Sequence, residues 1–184
     1  MQIEKVDIDG LLIIHPTIFA DERGYFYESF NLGKFLTLTG FQSLEFVQDN
    51  VSSSKKGVVR GLHFQDPPYE QGKLVNVMQG KVIDVAVDIR KGSPTYGKHY
   101  SLELTAENKL LFWIPPGFAH GFVALEDNTL FCYKCTNYYN KASERAIIWN
   151  DIDLSIDWRE ANPILSAKDN EAPVFCDFES KFRY

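Results

Sequence analysis

Lys81-Val-Ile-Asp-Val-Ala-Val-Asp-Ile-Arg90 is the segment whose reading decides the fold. In an extended chain successive side chains point to opposite faces. Ile83, Val85, Val87 and Ile89 then share one face, against Val82, Asp84, Ala86 and Asp88 on the other. The alternation is that of a strand, and the residues are largely β-branched, which suits one. Gln79-Gly80 turns the chain before it and Lys91-Gly92-Ser93-Pro94 turns it after.

Working outward, the same signals recur. Upstream lie a strand over Lys73–Met78 and another over Val58–Gln65, broken by Asp66-Pro67-Pro68. Before them come a polar loop (Ser52–Gly57), an extended stretch (Phe41–Val51) and a short helix over Leu32–Leu38 that Gly40 ends. Tyr25–Phe30 reads as a strand after the turn Asp21-Glu22-Arg23-Gly24, and Gly10–Phe19 as one interrupted at Pro16. Downstream, Tyr100–Thr105, Leu110–Ile114, Phe122–Leu125, Thr129–Thr136 and Ala146–Trp149 read as strands, with a turn at Pro115-Pro116-Gly117. The tail from Asp151 reads as irregular. Many short strands between turn signals predict an all-β antiparallel sandwich or barrel, in one domain spanning the 184 residues.

Composition agrees. The chain holds 14 Phe, 9 Tyr and 3 Trp, and aromatics favour strands. A net charge of -6 argues against a general nucleic-acid-binding surface, while leaving room for a basic pocket around one phosphorylated ligand. No signal peptide or bilayer-spanning stretch is read, so no membrane partner is expected. Cys132 and Cys135 form a C-x-x-C, but on a strand an odd separation sends them to opposite faces. With Cys176 they make no disulfide framework, and a reducing cytoplasm is the expected location.

Val59-Arg-Gly-Leu-His-Phe-Gln65 carries the densest polar chemistry. Strict alternation puts Val59, Gly61, His63 and Gln65 on one face and Arg60, Leu62 and Phe64 on the other. A twist or bulge at Gly61 would bring Arg60 and His63 toward one cavity. Histidine titrates near neutrality and can take or give a proton there.

Arg60-Gly-Leu-His-Phe-Gln65, Gly72-Lys-Leu-Val75, Gly80-Lys-Val82 and Ile114-Pro-Pro-Gly-Phe-Ala-His-Gly-Phe122, followed by Tyr133, resemble the dTDP-4-dehydrorhamnose 3,5-epimerases. The resemblance runs from Phe19-Ala-Asp-Glu-Arg-Gly24 to Leu165-Ser-Ala-Lys-Asp169. It implies a cupin-type double-stranded β-helix, a jelly roll, with a few short helices. Pro115 to His120 also matches half of a metal-cupin pattern, but the second half offers only His63. Two histidines are too few to hold a catalytic metal, so neither metal nor cofactor is expected.

The substrate the resemblance implies is a 4-keto sugar on dTDP, whose C3 and C5 hydrogens are both alpha to one carbonyl. Inversion removes a proton from one face and returns one to the other. His63 is the candidate base. The carbon acid is weaker than an imidazolium by roughly a dozen pKa units, at about 1.4 kcal/mol each, so the enolate oxygen needs stabilising. Lys73, as a fixed positive charge, is the candidate for that. Tyr133 is the candidate acid for the opposite face. Asp169 would orient His63 and stabilise its imidazolium; Ser166-Ala-Lys-Asp169 also reads as a helix capping box.

On the nucleotide side the resemblance implies Arg23, Arg60 and Lys168 near the diphosphate, where an arginine fork matches phosphate oxygens. It implies Glu28, Gln48 and Asn50 as hydrogen-bonding partners of the base and its surroundings, and Phe26 and Tyr138 as stacking faces. His120 would line the sugar pocket and Glu144 would add a polar contact. It further implies a homodimer whose N-terminal strands cross to the neighbouring subunit. The expected function is inversion of C3 and C5 of dTDP-4-dehydro-6-deoxy-D-glucose to dTDP-4-dehydro-L-rhamnose. The alternatives are a C3-only or C5-only epimerase and a non-catalytic cupin that binds sugar nucleotides; a binder needs no acid and base on opposite faces.

Overall fold

A computed structural model describes residues 1–184. In chain order the strands are β1 (Gln2–Lys5), β2 (Leu12–His15), β3 (Ile18–Asp21), β4 (Gly24–Tyr27), β5 (Gln48–Ser54), β6 (Val59–Gln65) and β7 (Lys73–Gln79). They continue with β8 (Lys81–Asp88), β9 (His99–Thr105), β10 (Leu111–Ile114), β11 (Phe118–Ala124), β12 (Thr129–Cys135) and β13 (Glu144–Ala146). Helix α1 covers Leu32–Thr39, α2 covers Ala167–Asn170, and a single 3-10 turn covers Phe175–Asp177. This is the expected all-β jelly roll of the cupin type with a few short helices.

Two antiparallel sheets face each other. One has six strands in the order β1-β2-β10-β7-β12-β5, the other five in the order β13-β6-β11-β8-β9. Strand β8 sits inside the second sheet, buried on both faces. Its two predicted faces separate as expected. Val82 and Ala86 enter the core between the sheets, with Val75, Val77, Phe112, Phe122 and Phe131. Ile83, Val85 and Val87 pack on the outer side against Leu154, Trp158 and Phe182 of the tail. A third cluster seats Phe35 of α1 on Leu74, Leu111 and Trp113, outside the six-stranded sheet. Asn31 caps α1 and Gly40, at φ 76°, ends it where the sequence places the stop.

Several boundaries differ from the sequence reading. Ser52–Ser54 belong to β5, not to a loop, because their backbones pair with Thr129–Phe131; β5 is an edge strand, where polar side chains are tolerated. Strand β11 starts at Phe118, directly after the proline turn, because Asp88 and Val87 offer it a ladder. Strand β13 lies at Glu144–Ala146 rather than Ala146–Trp149, since its partners run from Gln65 to His63. Strand β1, whose mixed charge hides it, pairs with β2. The tail is largely irregular but holds α2, where Ser166 caps the backbone N–H of Asp169.

Candidate active site

The site begins with the geometry of β6. His63 pairs with His120 and Arg60 with Phe122, so β6 spends one residue more than β11 over the same span. That is a β-bulge. It resets the alternation: Val59, Leu62 and Phe64 join the outer core, while Arg60 and His63 line one cavity. The strict two-face division is therefore corrected, and the bulge alternative holds. Gly61 makes it sterically feasible, since at φ 133° an added Cβ would lie 2.5 Å from Gly121 Cα.

The cavity lies between the sheets in two lobes that share His63, Lys73 and Tyr133. One lobe, of about 260 Å³, is completed by Arg60, His120, Phe122, Phe131, Lys168 and Asp169. The other, of about 310 Å³, is lined by Gln48, Asn50, Gln65, Gln71, Cys135 and Glu144 among others. His63 stands on the five-stranded sheet; Lys73 on β7 and Tyr133 on β12 stand on the facing one. Whatever occupies the cavity is met by an imidazole from one side and by an ammonium and a phenol from the other.

His63 Nε2 lies 2.5 Å from Asp169 Oδ1, and Ser166 Oγ donates to Asp169 Oδ2 at 2.8 Å. Burial would raise the Asp169 pKa, but the bond and charge of His63, with Ser166 and Lys168, carry it below the ordinary value. Asp169 thus occupies its capping position in α2 and holds His63 as well. Burial pushes the Tyr133 phenol upward, so it keeps its proton at neutral pH. Burial likewise lowers the pKa of Lys73, against Cys135, Asp84 and Glu144, so its charge is tuned by the cavity rather than simply fixed.

The other expected residues divide. Gln48, Asn50, Arg60, His120, Glu144 and Lys168 line the cavity. Arg60 is steered by Ser54 Oγ at 3.2 Å and the Ser53 carbonyl at 3.3 Å. Lys168 pairs with Glu144 at 2.5 Å. Arg23, Phe26, Glu28 and Tyr138 line neither lobe. Arg23 is 85% exposed and paired with Asp21; Phe26 is 66% exposed on the β3–β4 hairpin. Glu28 pairs with Lys34 beside α1. Tyr138 is exposed, and it is Tyr139 that reaches the cavity, donating to Glu144 at 3.1 Å.

The sequence reading missed Tyr139, Gln71 and Asp84. Asp84 Oδ2 lies 2.9 Å from His120 Nε2. A signal for it existed: Asp84 interrupts an apolar, inward face of the clearest strand. No cluster of three His, Cys, Asp or Glu side chains is arranged to hold a metal ion.

Fold and site together define a cupin-type jelly roll whose cavity is lined by titratable side chains from both sheets. The sequence model of the dTDP-4-dehydrorhamnose 3,5-epimerase family matches residues 5–177. The dTDP-4-dehydrorhamnose 3,5-epimerase of Shigella flexneri is 52% identical over 96% of this chain and 97% of its own. The crystal structure of the Elizabethkingia anophelis enzyme of that name superposes with a TM-score of 0.92 at 54% identity, covering 98% and 99% of the two chains. A Legionella pneumophila epimerase structure, in complex with dTDP-4-keto-L-rhamnose, gives 0.94 at 49% identity, covering 100% and 98%. The chain belongs to the dTDP-4-dehydrorhamnose 3,5-epimerase family.

Proposed function

We propose that the chain inverts C3 and C5 of dTDP-4-dehydro-6-deoxy-D-glucose, giving dTDP-4-dehydro-L-rhamnose. One observation carries this reading: His63, held by Asp169, and Tyr133 stand on facing sheets of one cavity with Lys73 between the two lobes. His63 removes the proton alpha to the ketone, Lys73 stabilises the enolate oxygen, and Tyr133 delivers a proton to the other face. Buried electrostatics of this kind act strongly because water does not screen them. Proton NMR of the product formed in D2O tests it. Deuterium at both C3 and C5 is the expected result; label at one centre identifies a single-centre epimerase, and label at neither leaves a binding protein. Exhaustive chelation should leave the rate unchanged.

The nucleotide end extends past Arg60 and Lys168. Arg23 and Phe26 belong to this reading as contributions to the neighbouring subunit's cavity in a homodimer. The β3–β4 hairpin pairs with no other strand of its own chain, and Phe19, Tyr25 and Phe26 are all exposed there. The three cysteines are free, which fits the reducing cytoplasm. No helix is long and apolar enough to cross a membrane.

A further inference from the structure

Strand β8 turns Val82, Asp84 and Ala86 toward the space between the sheets, and all three are fully buried. Packing alone would be served there by an apolar residue, since a buried carboxylate is costly unless it is bonded. Asp84 is bonded on one side only. Oδ2 meets His120 Nε2 at 2.9 Å, while Oδ1 is buried without a partner. The pairing follows from register: His120 on β11 lies opposite Ala86, so Asp84 is its diagonal neighbour on the same face. On its other flank His120 lies opposite His63.

We infer that Asp84 is a positioning residue, which fixes the hydrogen of His120 on Nε2 so that the ring presents Nδ1 to the cavity as an acceptor for a ring hydroxyl of the bound sugar. A nitrogen facing a carboxylate is the one that carries the hydrogen. Nδ1 makes no hydrogen bond within the chain. The charged and titratable groups facing His120 are Asp84 from β8, Lys73 from β7 and His63 from β6. Burial, the largest influence, lowers the His120 pKa; Asp84 opposes it and Lys73 and His63 reinforce it. The ring is therefore neutral at pH 7, and a neutral ring bonded this way has only an acceptor left. An acceptor repels an enolate oxygen, so that oxygen falls to Lys73. It suits a hydroxyl, and C2 bears the one ring hydroxyl beside the reacting carbons whose own centre is not inverted.

This inference rests on the epimerase reading for its ligand, but its first test does not. Nitrogen-15 NMR of the histidine rings in the free full-length protein should show His120 neutral at pH 7 with its hydrogen on Nε2. In Asp84→Asn the hydrogen should shift in part to Nδ1, because an amide can donate to Nε2. A doubly protonated ring, or an Nδ1–H ring, in the wild-type protein would overturn the inference, and that measurement stands even if the variant does not fold. The second test compares the 4-keto substrate with its 2-deoxy-2-fluoro analogue on the wild-type enzyme. Fluorine cannot donate, so KM should rise about tenfold, in line with an unmet buried acceptor. Equal KM values would overturn the hydroxyl assignment. Turnover of neither compound would instead count against the epimerase reading, with the ring measurement still deciding the role of Asp84.

Discussion

His63 with Asp169 and His120 with Asp84 are the same two residue types in two environments. The His63 side chain is 30% exposed and Asp169 only 4%, whereas His120 is 8% exposed and Asp84 not at all. Asp169 comes from α2, far along the chain, and Ser166 occupies its second oxygen. Asp84 comes from the neighbouring strand and its second oxygen is unpaired. An imidazole open to the cavity and backed by a carboxylate can take a proton and be stabilised while holding it. A buried one is kept neutral and serves as a fixed contact. Environment, not residue identity, separates the roles proposed for the two histidines.

The largest expected effect breaks this contrast if it fails. His63→Asn should lower both isotope exchange and inversion at least about a hundredfold, the low end for a general base. Binding of dTDP should change little, because the contacts proposed for it lie at Arg60, Lys168 and beyond rather than at His63. His120→Asn should leave exchange within about tenfold of wild type, a loss of positioning rather than of the base. Equal losses in the two variants, measured by NMR in D2O, would erase the distinction. Asp169→Asn should fall between them, at about ten- to a hundredfold, as expected for removing a histidine's orienting partner. A rate for that variant equal to wild type would leave α2 with a capping role only.

Much of this was legible before the structure. The alternation over Lys81–Arg90 gives a strand and the two faces of its side chains, while the burial of both faces comes from its place inside the five-stranded sheet. Gly40, Ser166 and the proline turn announced their roles through local backbone chemistry. His63, Lys73, Tyr133 and Asp169 came from motifs, and they meet in one cavity although no local rule links them. Three things were not legible. Ser52–Ser54 look like a loop because an edge strand takes its order from its ladder partner, not from its side chains. Asp84 was seen only as a strand residue because its partner depends on β8–β11 register. Arg23, Phe26 and Glu28 were grouped with the site by resemblance, while in one chain they lie on the hairpin and beside α1.

The smallest effect is a difference in pH windows. The His120 pKa is lowered from 6.5, so stability from its burial is fully present above pH 6.5 and is lost as pH falls through the lower folded value. His99, lowered chiefly by burial, contributes in the same window. The Asp169 pKa is lowered from 3.8, so its contribution stays intact down to that pH and is lost only below it. Tm measured against pH should therefore begin to fall below pH 6.5 in wild type. His120→Gln should flatten that upper part of the curve, and Asp169→Asn should flatten only the part below pH 3.8. Loss of the upper slope in Asp169→Asn would contradict the assignment.

Tyr133→Phe in D2O tests the central claim, that base and acid act from facing sheets, most directly. The variant keeps the ring and its packing beside Phe131, whose centroid is 6.0 Å away, and loses only the phenol hydroxyl. His63, with Lys73, should still form the enolate, which then collapses by return of a proton from His63. NMR of the recovered sugar nucleotide, scored for label and configuration at C3 and C5 separately, should show deuterium entering while net inversion is strongly reduced. Undiminished inversion at both centres would contradict the account, as would loss of exchange together with inversion in a folded variant that still binds dTDP.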